Sequence, residues 1–191
     1  MQSIHTPSMT TARGRHPSRA QRRVLALATA ALLSVAVGCG GDSTGPGAMG
    51  TASVTATGAV SASGIGLALF QSVSSGGTSL FQVVISPLPQ SGPDTWQLQI
   101  ANYSGRLAVG THTLSPLSAG STDPTATFYH ANSGVLNLFN STSGQLVITS
   151  SSAWEVRGTF TFTATDAAGG TATVTVNGSF SAQCAPGTTC Q

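Results

Sequence analysis

The chain contains no lysine, and charged residues of every kind make up 6% of its 191 residues. Five of its seven arginines, Arg13, Arg15, Arg19, Arg22 and Arg23, crowd into the N-terminal segment. Beyond Arg23 only Arg106 and Arg157 remain, against Asp42, Asp94, Asp123, Glu155 and Asp166. That long remainder is formally −3, although the whole chain is +2. The basic character therefore belongs to the first residues and gives no footing for nucleic acid binding. So few acids, bases and nucleophiles argue against an enzyme, and no catalytic or cofactor-binding residue is assigned. The sequence also lacks a long apolar run. The charge-free stretch Val24 to Val37 falls short of the roughly 20 residues of a bilayer-spanning helix. Beyond residue 50 no amphipathic helical pattern occurs, which excludes a helical bundle. Ser, Thr, Asn and Gln are left to solvate the surface, a composition that suits an all-β extracellular module.

What is present at the start is a basic segment, a short apolar run and small residues, the parts of a secretory signal. The run ends in Ala36-Val37-Gly38-Cys39, which resembles the lipobox of bacterial lipoproteins. The resemblance implies that Cys39 becomes the first mature residue and carries lipid. The expected organisation is a signal peptide over 1–38, a lipid-anchor linker over 39–50 and an all-β domain over 51–191. The partner so implied is a membrane, reached through lipid on Cys39. Gly40 follows the cysteine with no aspartate there to signal inner-membrane retention, so the sorting resemblance favours the outer membrane. Two other readings concern the leader: translation from Met9, and a twin-arginine signal at Arg22-Arg23, which Gln21 weakens. Gly41-Asp42-Ser43-Thr44-Gly45 matches G-x-S-x-G. That motif needs a strand before the serine and a helix after it, and this Gly-rich stretch reads as linker instead.

From residue 50 the hydrophobic period is two. Val54, Ala56, Val60 and Ala62 alternate with polar residues, as do Phe81, Val83 and Ile85, and then Trp96, Leu98 and Ile100. Ile65 to Phe70 is apolar on both faces. Leu107 and Val109 suggest a short strand, and Ala126, Phe128 and His130 share a face. Leu136 and Leu138 read as one strand and Leu146 and Ile148 as another, with a turn over Asn140 to Gly144. The expected fold is an antiparallel β-sandwich of about nine or ten strands, with a closed lipocalin-like barrel as the alternative. The two differ in whether the first strand, near Val54, pairs with the last, near Val176.

The final hairpin has the clearest pattern. Trp154, Val156, Gly158, Phe160, Phe162 and Ala164 fall on one face, and Ala172, Val174, Val176, Gly178, Phe180 and Ala182 on the matching face of the return strand. A three-residue loop with Asp166 opposite Gly170 sets Phe162 against Val174, Phe160 against Val176 and Val156 against Phe180. Gly158 and Gly178 then face each other, leaving a gap where either the hairpin bends or a large ring from the opposite sheet, such as Trp96, fills the space.

The segments GTHTL, ATFYHA, SGQLVITSS and WEVRGTFTFTATDAAGGTATVTVNGSF resemble a domain of unknown function found in lipid-anchored and secreted bacterial proteins. The resemblance covers about Gly110 to Phe180 and departs at His112, where such domains often place tyrosine. It implies an all-β module and brings no catalytic residues.

Few residues could carry chemistry. His112 and His130, with Asp94 or Asp123, lack the close spacing of a zinc site, so no metal ligands are assigned. Asp94, Asp123, Glu155 and Asp166 are the only carboxylates for a glycosidase pair; Asp166 lies in a turn and Glu155 points outward. Trp96 and Trp154 fall on apolar faces and read as core, whereas Tyr103 and Tyr129 read as the exposed rings. With Cys39 acylated, Cys184 and Cys190 are the thiols left in an oxidising compartment, and Pro186-Gly187 lets CAPGTTC reverse. A structural disulfide is expected between them. The functional expectation is a lipid-anchored cell-envelope protein with a non-enzymatic binding or structural domain, its ligand a protein or a polysaccharide. A lipocalin-like carrier of a small apolar ligand and an enzyme of unknown class are the alternatives.

Overall fold

The computed structural model describes residues 49–88, 94–118, 121–188 and 190. The leader, Cys39, the G-x-S-x-G match and most of the Pro-rich turn before Asp94 lie outside these. Among the described residues nine strands follow one another: β1 (Gly50–Gly58), β2 (Ala62–Ser75), β3 (Thr78–Pro87), β4 (Asp94–Asn102), β5 (Gly110–Thr113), β6 (Thr125–Asn132), β7 (Val135–Ser151), β8 (Glu155–Asp166) and β9 (Thr173–Cys184). The chain winds as a meander in which β1, β2, β3, β4, β6, β7, β8 and β9 each pair antiparallel with the next. The circle closes where β1 pairs with β9, with Val54 opposite Gly178 and Ala56 opposite Val176.

The domain is thus an eight-stranded closed barrel with one extra strand, not the expected sandwich. Strict alternation is common to both folds and does not separate them. What decides is β7. The sequence suggests two strands and a turn there, but Val135–Ser151 is one strand of 17 residues. Thr142 and Thr149 sit at its two register shifts, where β-bulges bend it. On one edge it pairs with β8 from Phe139 to Ser151. On the other it pairs first with β6 and then, over Gln145–Ile148, with β5. Strands β5 and β6 therefore share one position in the wall, split by the excursion between Thr113 and Thr125. Ser141 joins the halves: its buried Oγ accepts from the Ala126 N–H at 3.0 Å and donates to the Ser115 carbonyl at 2.8 Å.

The barrel interior is filled by its own side chains. All seven phenylalanines, Phe70, Phe81, Phe128, Phe139, Phe160, Phe162 and Phe180, are buried. Ile85, Leu98, Ile100, Leu114, Leu146 and Ile148 fill the space between them. An eight-stranded barrel is just wide enough for such a filling. Leu136 is exposed, because the phase that buries Phe139 turns Leu136 outward. Ile65, at the start of the run apolar on both faces, is exposed as well. The Leu107–Val109 segment is loop, and the strand begins at Gly110. Trp96 is buried as expected, its ring lying over Gly64 and Gly66.

The β8–β9 register also differs from the expected one. Phe162 lies opposite Val176, Phe160 opposite Gly178, Gly158 opposite Phe180 and Val156 opposite Ala182. The loop holds five residues between Asp166 and Ala172, closed by the Asp166 N–H donating to the Ala172 carbonyl. Asp166 Oδ1 accepts from the Ala168 N–H at 2.8 Å. Each glycine so faces a phenylalanine, not the other glycine, and each ring fills the space the facing glycine leaves. No tryptophan is needed to fill it.

Candidate functional site

The two ends of the barrel differ. One end gathers the start of the described chain at Met49, the β2–β3 hairpin, the 103–109 loop, the β7–β8 loop and the C-terminal segment. Arg106 organises it. Its guanidinium carbon lies 5.1 Å from the centre of the Phe70 ring. Nη1 donates to the Cys190 carbonyl at 2.5 Å, Nε to Ser151 Oγ at 3.1 Å, and Nη2 to the Ser152 carbonyl. One planar fork thus ties three segments over the mouth of the barrel, a geometry suited to arginine and not to lysine. Burial draws its pKa below the ordinary arginine value. The sequence reading counted Arg106 only as a charge; the available signal was its being one of two cations beyond the leader.

The C-terminal segment is held at the same end by the Cys184–Cys190 disulfide, with the Cα atoms 5.9 Å apart. The Ala185 N–H donates to the Phe70 carbonyl at 2.8 Å, and Cys190 is buried. The expected disulfide is therefore present, and it holds Cys190 against this end of the barrel.

Beside Arg106 lies an open groove of about 470 Å³, lined by Arg106 to Val109 and Ser151 to Ala153. Trp154 follows directly. It is 60% exposed, which corrects its assignment to the core. The reason is local. Ser152 and Glu155 close a turn, the Ser152 N–H donating to the Glu155 carbonyl and the Glu155 N–H to Ser152 Oγ, so Trp154 precedes the strand and escapes its alternation. Glu155 starts β8 with its carboxylate accepting from Ser181 Oγ at 2.6 Å and Gln183 Nε2 at 3.1 Å, and pairing with Arg157 Nε at 2.9 Å. These contacts, the Ser181 bond first, hold its pKa below the usual glutamate value against an opposing effect of burial.

The remaining candidates stay apart. His112 lies opposite Leu146 and His130 opposite Asn137, at distant points along β7. His112 Nε2 is 2.8 Å from the Ala108 carbonyl. His130 is buried at the far end, directly across the ladder from Trp96, and its Nδ1 has no partner. Asp94 and Asp166 stand at that far end, and Asp123 accepts from Ser115 Oγ in the β5–β6 connection. Among the described residues no three His, Cys, Asp or Glu side chains come together as a metal site would need. Tyr103 is exposed as expected, but Tyr129 is half-buried and its hydroxyl donates to Gln99. Burial raises the Tyr129 pKa.

The class that the fold defines is an up-and-down eight-stranded barrel packed with side chains. No family model matches the chain, nor does any curated protein or solved structure.

Proposed function

We propose that this chain is a lipid-anchored cell-envelope protein, probing its surroundings through the outer surface and ends of the barrel. The observation that carries this reading is the filled interior. With seven phenylalanines buried, a ligand has its natural seat on the outside, which favours a binding or structural module over an enzyme. The anchor rests on the Ala36-Val37-Gly38-Cys39 sequence, and outer-membrane sorting on Gly40. Several acyl chains, each contributing about 0.8 kcal/mol per buried CH2, make such an anchor durable.

Labelled palmitate tests the anchor: it enters the wild-type protein and not Cys39→Ser, and equal labelling of both overturns the reading. A carrier of a small apolar ligand is the second reading. Barrel closure favours it. Native mass spectrometry of protein taken from the envelope separates the two. A carrier retains a stoichiometric small molecule, whereas the module carries none.

A further inference from the structure

We infer that the Arg106 end of the barrel rests on the lipid bilayer, with Trp154 at the headgroup level. This rests on the lipid anchor at Cys39 and goes beyond it, because an anchor by itself sets no orientation.

Four observations converge on this end. The described chain enters the barrel here, with Met49 leading into β1. Met49 lies ten residue steps after Cys39, and ten steps span at most about 36 Å even when fully extended. An anchored protein therefore holds this end near the membrane. Second, this end displays apolar side chains from separate segments: Met49 ahead of β1, Val73 near the end of β2, and Val109 and Trp154 on loops, each at least 46% exposed. Val109 and Ala153, the neighbour of Trp154, line the same groove. Third, an indole on a turn, with its backbone carbonyl already bonded to the Cys184 N–H, is free to place an apolar body and a polar N–H across a membrane boundary. Tryptophan concentrates at that boundary for this reason.

Fourth, the charges are polarised along the barrel. Both cations beyond the leader, Arg106 and Arg157, stand at this end, with Glu155 paired to Arg157. Asp94 and Asp166 stand at the other, which has no Lys or Arg among the described residues, and Asp123 lies apart from both in the β5–β6 connection. An anionic bilayer surface attracts the first end and repels the second. The far end has exposed apolar residues of its own, Ile65, Leu88, Val135 and Leu136. The orientation points these away from the lipid, where a partner can reach them.

The test uses mature protein purified from the envelope and inserted into vesicles of phosphatidylethanolamine and phosphatidylglycerol with brominated acyl chains. Tryptophan emission is compared with that in unbrominated vesicles. Wild-type protein is expected to lose emission to bromine. Trp154→Phe is expected to show no such loss, because the remaining Trp96 is buried inside the barrel. A Trp154→Phe/Leu136→Trp variant, with its reporter at the far end, is expected to be equally unquenched. An unquenched wild type, or a quenched far-end reporter, overturns the orientation.

The acyl content of Cys39, read by intact mass on the same sample, keeps this result separate from the anchor. If Cys39 carries no lipid, the anchor proposal fails alone. The free thiol is then coupled to maleimide headgroups, and the same quenching comparison decides the orientation.

Discussion

Phe160 stands directly opposite Gly178 across the β8–β9 ladder, its ring tip in the space that a side chain at residue 178 needs. A Cβ built on Gly178 comes within 2.6 Å of Phe160 Cζ and collides with the Ser53 carbonyl of β1. The mirror relationship holds two rungs away, where Phe180 Cζ lies 3.0 Å from a Cβ built on Gly158. The two rings lie 6.3 Å apart and near-parallel. Ring and glycine alternate so that two large side chains fit where the barrel wall is crowded. Gly178→Ala is therefore expected to cost about 3 kcal/mol, the upper part of the range for overpacking. Adding Phe160→Leu should recover only part of this, because the Ser53 carbonyl belongs to the backbone and cannot turn aside. Urea unfolding of the two variants measures it, and full recovery would show that the ring alone sets the limit.

The two tryptophans should behave oppositely. Trp96 is 7% exposed and Trp154 60%. Trp96→Ala is expected to cost about 3–5 kcal/mol, and Trp154→Ala no more than about 0.5 kcal/mol. Chemical denaturation of each variant checks this, with a large loss at Trp154 as the outcome that contradicts its exposure.

Ser141 is the joint of the split wall, and its hydroxyl is used in both directions within the core. Ser141→Ala leaves the Ala126 N–H and the Ser115 carbonyl without that partner. A buried group left unsatisfied costs about 1–3 kcal/mol. The variant should also lose amide protection selectively at Ala126. Hydrogen exchange distinguishes this from a general loss of stability, which would raise exchange in every strand alike.

Much of the wall was legible in the residues, since period-two alternation placed Val54, Phe81, Leu98, Phe128 and Phe160 inside the barrel, where they lie. The closure was not legible. It lies in the β1–β9 pairing, and alternation is the same in a sandwich and a barrel. The bulges at Thr142 and Thr149 carry no turn chemistry of their own, so Asn140 to Gly144 reads as a turn although it continues a strand. The β8–β9 register was missed by two residues. Even spacing is satisfied by any shift of two, and only the loop length and the fit of ring to glycine choose among them. Trp154 was misplaced because alternation was extended one residue past the strand into the Ser152–Glu155 turn. The site at the Arg106 end was illegible for another reason: its members come from segments 45 and 84 residues apart in sequence from Arg106. The Cys184–Cys190 bond was readable because it is local.

Acid should weaken the start of β8. Glu155 has a folded pKa below its ordinary value, led by the Ser181 hydrogen bond. In the unfolded chain a glutamate titrates near about 4.3. The unfolded state thus takes up a proton first as the pH falls. The stabilisation is complete above the unfolded value and is lost on descending through the lower folded one. Glu155→Gln should therefore be less stable than wild type at neutral pH, and the difference should shrink as acid protonates the wild-type carboxyl. Urea titrations of both proteins at a series of pH values supply the comparison. A difference that grows with acid would reverse the assigned sign.

Arg106 and the disulfide should act as one unit. The guanidinium reaches the Cys190 carbonyl at 2.5 Å, and Cys190 is held against the barrel by its bond to Cys184. Removing the arginine strands acceptors on Ser151, Ser152 and Cys190 together, so Arg106→Ala is expected to cost about 1.5–3 kcal/mol, the range for hydrogen bonds to a charged group. Arg106→Lys should recover little of it, since an ammonium cannot hold three diverging acceptors and lie over the Phe70 ring as well. Breaking the disulfide by Cys184→Ser/Cys190→Ser removes about 2 kcal/mol on the loop-closure account and frees the Cys190 carbonyl from its place. If the two features share that contact, the combined variant loses less than the two losses added. Coupled neighbours differ from additivity by about 0.5–3 kcal/mol. Strict additivity in the double-mutant cycle would show instead that Arg106 stabilises the barrel through Ser151 and Ser152 alone.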